Sequence, residues 1–323
     1  MNTVAPKENI NQTPAEVSKV KKARIPITIA ADIPEATGSN FFGIFICVFP
    51  LVRLYTVMDL KKPFIFLKDL PYKLNKFYIK NLSYRLVVKN KSKKNKEYNP
   101  VTNFDKKFEK FIRSMIVKSF PKDSIIGEEF GKKSSSSKFT WSIDPIDGTK
   151  AFVIGVPTWS NLIGLRHKAR SIIGLANFPE LKRFYLNDKK RSYLYKENRK
   201  FIIKSSKNYD LKKLNIIGSF HGNFNNSKKI NFISKFGKSF RLASLDALSY
   251  CLLAEGKVDA VIETNLKPYD IIPLIPIIKN AGGYITDWKN DSAEKGGNII
   301  ATSNKKLHKK ILKILQNLKE LKK

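Results

Sequence analysis

Apolar residues between Phe64 and Leu86, and again at Phe104, Phe108, Phe111, Ile112, Met115 and Ile116, return every three or four positions. That spacing predicts two helices, each burying one face. Between them Lys89 to Lys96 contains no apolar residue, and Ser134 to Ser137 is a low-complexity stretch, so both read as surface connections. The pattern then changes. Short runs rich in β-branched and aromatic residues, Phe139 to Ile143, Asn161 to Arg166, Ser171 to Phe178 and Arg183 to Tyr195, predict consecutive strands. The last third alternates. Strands are predicted at Leu214 to Ser219, Asp259 to Glu263, Tyr284 to Trp288 and Asn298 to Thr302, with helices at Leu245 to Ala254 and Tyr269 to Asn280. A closing helix carries a stripe of Leu307, Ile311, Ile314, Leu315, Leu318 and Leu321, expected to dock on its own domain rather than on a membrane. The chain therefore reads as layered α/β (α+β), with helices and a largely antiparallel sheet over about 58–195 and alternating strands and helices over about 196–323.

Composition narrows this picture. With 42% hydrophobic and 11% aromatic residues among 323, the chain has material for a core, which excludes a wholly disordered basic protein. Lys and Arg number 61 against 27 acids, a net charge of +34. The lysines are spread through every segment after residue 57 rather than gathered with aromatics on one stretch, the pattern of a solvated surface more than of a dedicated nucleic-acid site. Such a surface raises encounters with phosphorylated metabolites. Two cysteines, Cys47 and Cys251, cannot build a disulfide framework, which points to a reducing cytoplasm. Residues 1–57 are poor in lysine and read as a poorly ordered extension, with Met58 as an alternative start. Within them the apolar run Phe41 to Val52 is about half the length of a bilayer span, so no membrane span is expected.

Because acids are scarce, the places where they gather are informative. The segment Trp141-Ser-Ile-Asp144-Pro-Ile-Asp147-Gly-Thr149 sets two carboxylates at the end of an apolar strand, pinned by a proline and turned by a glycine. Asp144, Asp147 and the Ile146 carbonyl between them are oxygen ligands of the kind that suits Mg²⁺. The amides of Gly148 and Thr149 can open a short helix and receive a phosphate oxygen. Upstream, Gly127-Glu128-Glu129 ends another apolar run. Downstream, Asp270 follows Lys267-Pro268-Tyr269. Each acid alone has a plain structural reading, as surface, turn or helix terminus; together they suit metal-assisted phosphoryl transfer to water.

These segments, with Pro100 to Asp105 and the Ala281-Gly282-Gly283 ending, resemble the inositol monophosphatase superfamily of Mg²⁺-dependent, lithium-sensitive phosphatases over about residue 64 to the C-terminus. The resemblance implies the layered inositol monophosphatase / fructose-1,6-bisphosphatase-like fold. It implies metal ligation by Glu128, Asp144, the Ile146 carbonyl, Asp147 and Asp270, and phosphate contacts from the Gly148 and Thr149 amides. It further implies that Thr149 and Glu128 orient the attacking water, with Asp105 supporting Thr149. His167, His221 and His308 lie outside these motifs and are read as structural or surface residues. A homodimer is compatible with the resemblance.

Within the superfamily, Asp147 to Phe152 with Gly155-Val-Pro157, the strand Trp159 to Leu165, Asp246 with Tyr250, Glu263 to Asp270 and Thr286-Asp287-Trp288 look most like the histidinol-phosphate phosphatase branch. That substrate carries an ammonium and an imidazole, and Glu263, with Asp246 nearby, would supply the acids to meet them. Inositol-1-phosphate or a related sugar phosphate is the alternative substrate. An RNA- or ribosome-associated protein retaining the fold is the alternative of another class. One local conflict stands out: Pro273 lies inside the helix expected after Asp270 and removes a backbone donor there.

Overall fold

The periodic segment after residue 60 forms α1 (Lys61–Asn81), whose Leu67, Leu70 and Leu74 are buried on one face. The computed structural model describes residues 59–81, 86–91, 100–218 and 240–320; the expectations for residues 1–57, Cys47, Met58 and His221 lie outside them. α2 (Asn103–Ser119) begins at a capping box in which the Thr102 side chain accepts from the start of the helix and Asp105 reaches back to the Thr102 backbone. Both helices cover one face of an eight-stranded sheet. Its strands are β3 (Ser124–Gly127), β4 (Gly131–Lys133), β5 (Phe139–Asp147), β6 (Ser160–His167), β7 (Arg170–Phe178), β8 (Arg183–Asn187), β9 (Ser192–Lys196) and β10 (Arg199–Ile203). They lie in the order β10-β9-β8-β7-β6-β5-β3-β4, antiparallel except where β3 runs parallel to β5.

The second sheet has five strands: β11 (Asn215–Gly218), β12 (Phe240–Ala243), β13 (Ala260–Leu266), β14 (Tyr284–Asp287) and β15 (Gly297–Thr302), in the order β12-β11-β13-β15-β14. Between the sheets pack α4 (Ala247–Ala254) and α6 (Leu274–Asn280), and α7 (Lys305–Glu320) covers the outer face of the second sheet. Three apolar layers result. α1 and α2 meet Trp141, Ile143, Ile163, Leu165 and Leu175. Leu162, Ala176 and Phe178 from the other face of that sheet meet Leu253, Ile277, Ile278, Val261 and Ile299. Ala260, Ile262 and Ile300 meet Leu307, Ile311 and Leu315. Alternating residues of one strand serve two different layers, as the pleat requires.

Several boundaries differ from the sequence reading. Val88–Asn90, placed partly in a loop, forms β1 against β2 (Pro100–Thr102). The run Arg183 to Tyr195 is two strands, because Asp188 caps a tight turn by accepting from the Lys190 and Arg191 amides at 2.7 and 2.8 Å. β10, unpredicted, is one edge of its sheet, where Phe201 and Ile202 are both exposed and the run has no alternation of apolar and polar positions to mark a strand. The helix expected over Tyr269 to Asn280 is divided into α5 (Pro268–Ile271) and α6, with Pro273 capping α6. α7 docks through Leu307, Ile311 and Leu315, and no helix among the described residues is long and apolar enough to cross a membrane.

The division at Pro273 is seated on two glycines paired across β6 and β7. A Cβ on Gly164 would lie 3.2 Å from the Pro273 backbone, and one on Gly174 would overlap the Pro273 carbonyl. Gly174→Ala is therefore expected to lower stability by about 1–3 kcal/mol in urea melts, through overpacking. An unchanged midpoint would show that the turn is not anchored there.

Candidate active site

Asp144 and Asp147 are three residues apart, so on an unbroken strand they would face opposite sides of the sheet. The register of β5 on β6 shifts instead: Asp144 pairs with Leu162 and Asp147 with Ser160, one extra residue on β5. This β-bulge resets the alternation. Ile143 and Ile146 accordingly both point into the α1/α2 core layer, leaving Asp144 and Asp147 together on the opposite side. The bulge is held by the Asn161 side chain, which donates to the Pro145 carbonyl at 2.7 Å and is itself reached by Asn177 at 2.9 Å.

Three further elements bring acids to this point. β3 ends at Gly127, delivering Glu128, whose amide donates to the Ile143 carbonyl at 3.2 Å. α5 delivers Asp270, which accepts from the Lys267 amide at 2.7 Å. The charges of Glu128 and Asp270 both act on Asp144. α2 delivers Asp105, fully buried, which accepts from the Thr102 amide at 2.7 Å and hydroxyl at 2.6 Å.

The electrostatic consequence is large. Burial, and then the charges of Glu128, Asp147, Asp270 and Asp105, push Asp144 well above the usual carboxylate range. Burial and the charges of Asp246 and Asp270 do the same to Asp147, although the Ala247 amide donates to it at 2.9 Å. Asp270 rises to about 7, chiefly through burial and the Glu128 charge, against the Lys267 amide that favours its ionised form. Asp105 rises to about 6, through burial, against the two Thr102 hydrogen bonds. Carboxylates this close cannot all ionise in a low dielectric without cations.

Beyond the bulge, Gly148 (φ 77°) turns the chain into α3 (Thr149–Ile154). A side chain there would also meet the Asp246 carboxylate, 2.7 Å from the position of a Cβ. The Thr149 hydroxyl donates to the Ile146 carbonyl at 3.0 Å and stands 3.5 Å from Asp105. Asp246 precedes α4 with an unusual positive φ of 49°. Glu263, on the face of β13 that Val261 shares, accepts a short hydrogen bond from Ser244. The buried Tyr250 hydroxyl leans toward Glu263 without completing a well-formed hydrogen bond. Burial and the charges of Asp246 and Asp270 raise Glu263 to about 7 despite these two hydroxyls.

All the acids expected at the site thus gather near the β5 bulge or along the α4 and β13 side of it. One participant was missed. Lys91, read as surface, pairs with Glu128 at 2.9 Å and with Glu129. Burial alone would lower its pKa, but the two glutamates hold it above the usual lysine value. Nothing in a lysine-rich run distinguishes this one from its neighbours. His308, by contrast, is structural: Thr286 and Thr302 hold its two ring nitrogens at 2.9 and 3.1 Å, and burial lowers its pKa to about 4.

The donors fit a hard divalent cation in kind, being carboxylates and a backbone carbonyl with no thiol or imidazole. Among the described residues no three such side chains form a closed, preformed cage. The acids stand instead close enough to raise one another's pKa, a repulsion that a divalent cation would relieve.

An acid-lined bulge beside a glycine turn, within alternating helix and sheet layers, suits a metal-assisted hydrolase of phosphate esters. The profile of the inositol monophosphatase family matches residues 65–320, and the chain belongs to that family. It is 32% identical over 233 residues to the bifunctional phosphatase IMPL2, chloroplastic, of Arabidopsis thaliana, covering 68% of this chain and 66% of that protein. It is 31% identical to a histidinol-phosphatase of Mycobacterium tuberculosis, covering 66% of this chain and 83% of the relative. A fructose-1,6-bisphosphatase/inositol-1-monophosphatase of Aquifex aeolicus is 30% identical, covering 68% and 83%. Among solved structures, an inositol monophosphatase from Zymomonas mobilis superposes with a TM-score of 0.67 at 23% identity, covering 80% of this chain and 99% of that one. An IMPase/NADP phosphatase complexed with Mg²⁺ and phosphate superposes at 0.66 with 19% identity, covering 79% and 95%. The family uses divalent metals and acts on phosphorylated substrates.

Proposed function

We propose that this phosphatase hydrolyses L-histidinol phosphate to L-histidinol and phosphate with Mg²⁺, held by Glu128, Asp144, the Ile146 carbonyl, Asp147 and Asp270. The cation would supply charge neutralisation at the phosphoryl group and the leaving oxygen. The Gly148 and Thr149 amides, at the bulge-to-helix turn, receive phosphate oxygens. The Thr149 hydroxyl, fixed between Ile146 and Asp105, orients the attacking water, and Glu128 accepts its proton. A new P–O bond forms to that water as the ester P–O bond breaks, and the departing alkoxide is protonated to histidinol. The domain reading, a phosphatase domain over 58–323 with residues 1–57 as an extension, belongs to this proposal.

The observation that favours this substrate is Glu263, buried and facing the acids Asp246 and Asp270, with the half-buried Asp246, which faces Lys150, beside the phosphate turn. A substrate carrying an ammonium and an imidazole completes them, each charge-assisted hydrogen bond contributing about 1.5–3 kcal/mol. Three relatives carry the name histidinol-phosphatase, in agreement with it. Phosphate release from histidinol phosphate and from inositol-1-phosphate, measured side by side with Mg²⁺, tests the reading. Histidinol phosphate is expected to be preferred, and Glu263→Gln to raise its KM by roughly tenfold or more. Preference for inositol-1-phosphate overturns the assignment.

A further inference from the structure

Glu109 is a fully buried acid in the middle of the apolar face of α2, four residues after Asp105. One of its carboxylate oxygens accepts from the Glu129 amide at 2.6 Å, the other from the Phe130 amide at 3.2 Å. Arg113, one turn further along the helix, donates to it through Nε at 2.7 Å and through its guanidinium to the Gly131 carbonyl. Apart from the bond between Glu109 and Arg113 themselves, the polar contacts of this pair among the described residues end on the loop that carries Glu128. Gly127 belongs to the same device, since a Cβ there would overlap the Glu109 carboxylate.

A buried acid costs stability unless it is fully bonded, and an apolar residue at this point of the stripe would pack more simply. What the acid adds is direction. The Glu129 and Phe130 amides point inward at a fixed anion, which leaves the Glu128 side chain facing Asp144. The same helix face holds Asp105 beside Thr149 one turn earlier, so two walls of the site are referred to one rigid element.

We propose that Glu109, clasped by Arg113, is a positioning residue that aims Glu128 into the metal site; this rests on the reading of Glu128 as a metal ligand. It acts through backbone amides and touches neither substrate nor cation. Outer partners of this kind typically change metal affinity by 10–100-fold.

Calorimetric titration of the full chain with Mg²⁺ tests it. Glu109→Gln is expected to weaken Mg²⁺ binding by roughly tenfold, with the substrate KM at saturating Mg²⁺ unchanged. Arg113→Ala, which leaves the amide contacts in place, is expected to weaken it less. A folded Glu109→Gln protein that binds Mg²⁺ as tightly as wild type overturns the proposal while leaving the metal site standing. Wild-type protein that binds no Mg²⁺ overturns the metal reading and this role with it. Hydrogen exchange on the wild type needs no variant: the Glu129 and Phe130 amides are expected to be protected like the α2 core, and rapid exchange of both overturns the clasp.

Discussion

Asp144→Asn is expected to lower kcat/KM at saturating Mg²⁺ by roughly a hundred- to a thousandfold, the scale on which losing one electrostatic contact to a transition state is felt. The same substitution is expected to raise the melting temperature of the metal-free protein. Both follow from one geometry. Asp144 is 3% exposed, faces the charges of Glu128, Asp147, Asp270 and Asp105, and its one amide donor, Ile146 at 3.1 Å, also suits an amide oxygen. Asn keeps that hydrogen bond and removes the charge. A stability gain at the expense of turnover is the mark of a residue held in place for chemistry. Wild-type turnover in the variant removes Asp144 from the site, and a lower metal-free melting temperature contradicts the repulsion inferred here.

The second large effect is a dependence of stability on pH that Mg²⁺ reverses. Asp270 and Glu263 lie near 7 and Asp105 near 6 in the folded protein, against ordinary values of 3.8, 4.5 and 3.8. The folded chain therefore binds more protons than the unfolded chain between about pH 4 and pH 7, and stability falls as pH rises through that window. Below it the groups are protonated in both states, and their contribution is fully present. A tenfold change in proton affinity corresponds to about 1.4 kcal/mol, so the loss by pH 8 is large on the scale of a domain's stability. In EDTA the melting temperature is expected to fall from pH 5 to pH 8. Mg²⁺ is expected to raise it far more at pH 8 than at pH 5, because only ionised carboxylates bind the cation well. A Mg²⁺ effect independent of pH would mean that these acids do not titrate with metal binding.

Much of the fold is legible in the sequence. Helices such as α2 and α7 follow from apolar spacing, and strands such as β6 and β7 from runs of branched and aromatic residues, because local periodicity is all those predictions need. The missed features have non-local causes. The turn at Asp188 depends on one side chain capping two amides, and β10 depends on a neighbour to pair with. For Glu109, a charge at apolar spacing on α2 was the available signal; its partners lie twenty residues away on another element.

The order and kind of the acidic segments, and hence the family they resemble, belong to the sequence itself, since the residue types that carry this chemistry are set one by one along the chain. Tertiary structure alone decided that Asp144 and Asp147 share a side, that α5 breaks off before Pro273 over two glycines, and that Lys91 pairs with Glu128. The reason is that a bulge, a close backbone approach and an ion pair are each defined by a second strand, helix or loop. No stretch of sequence read by itself contains its partner.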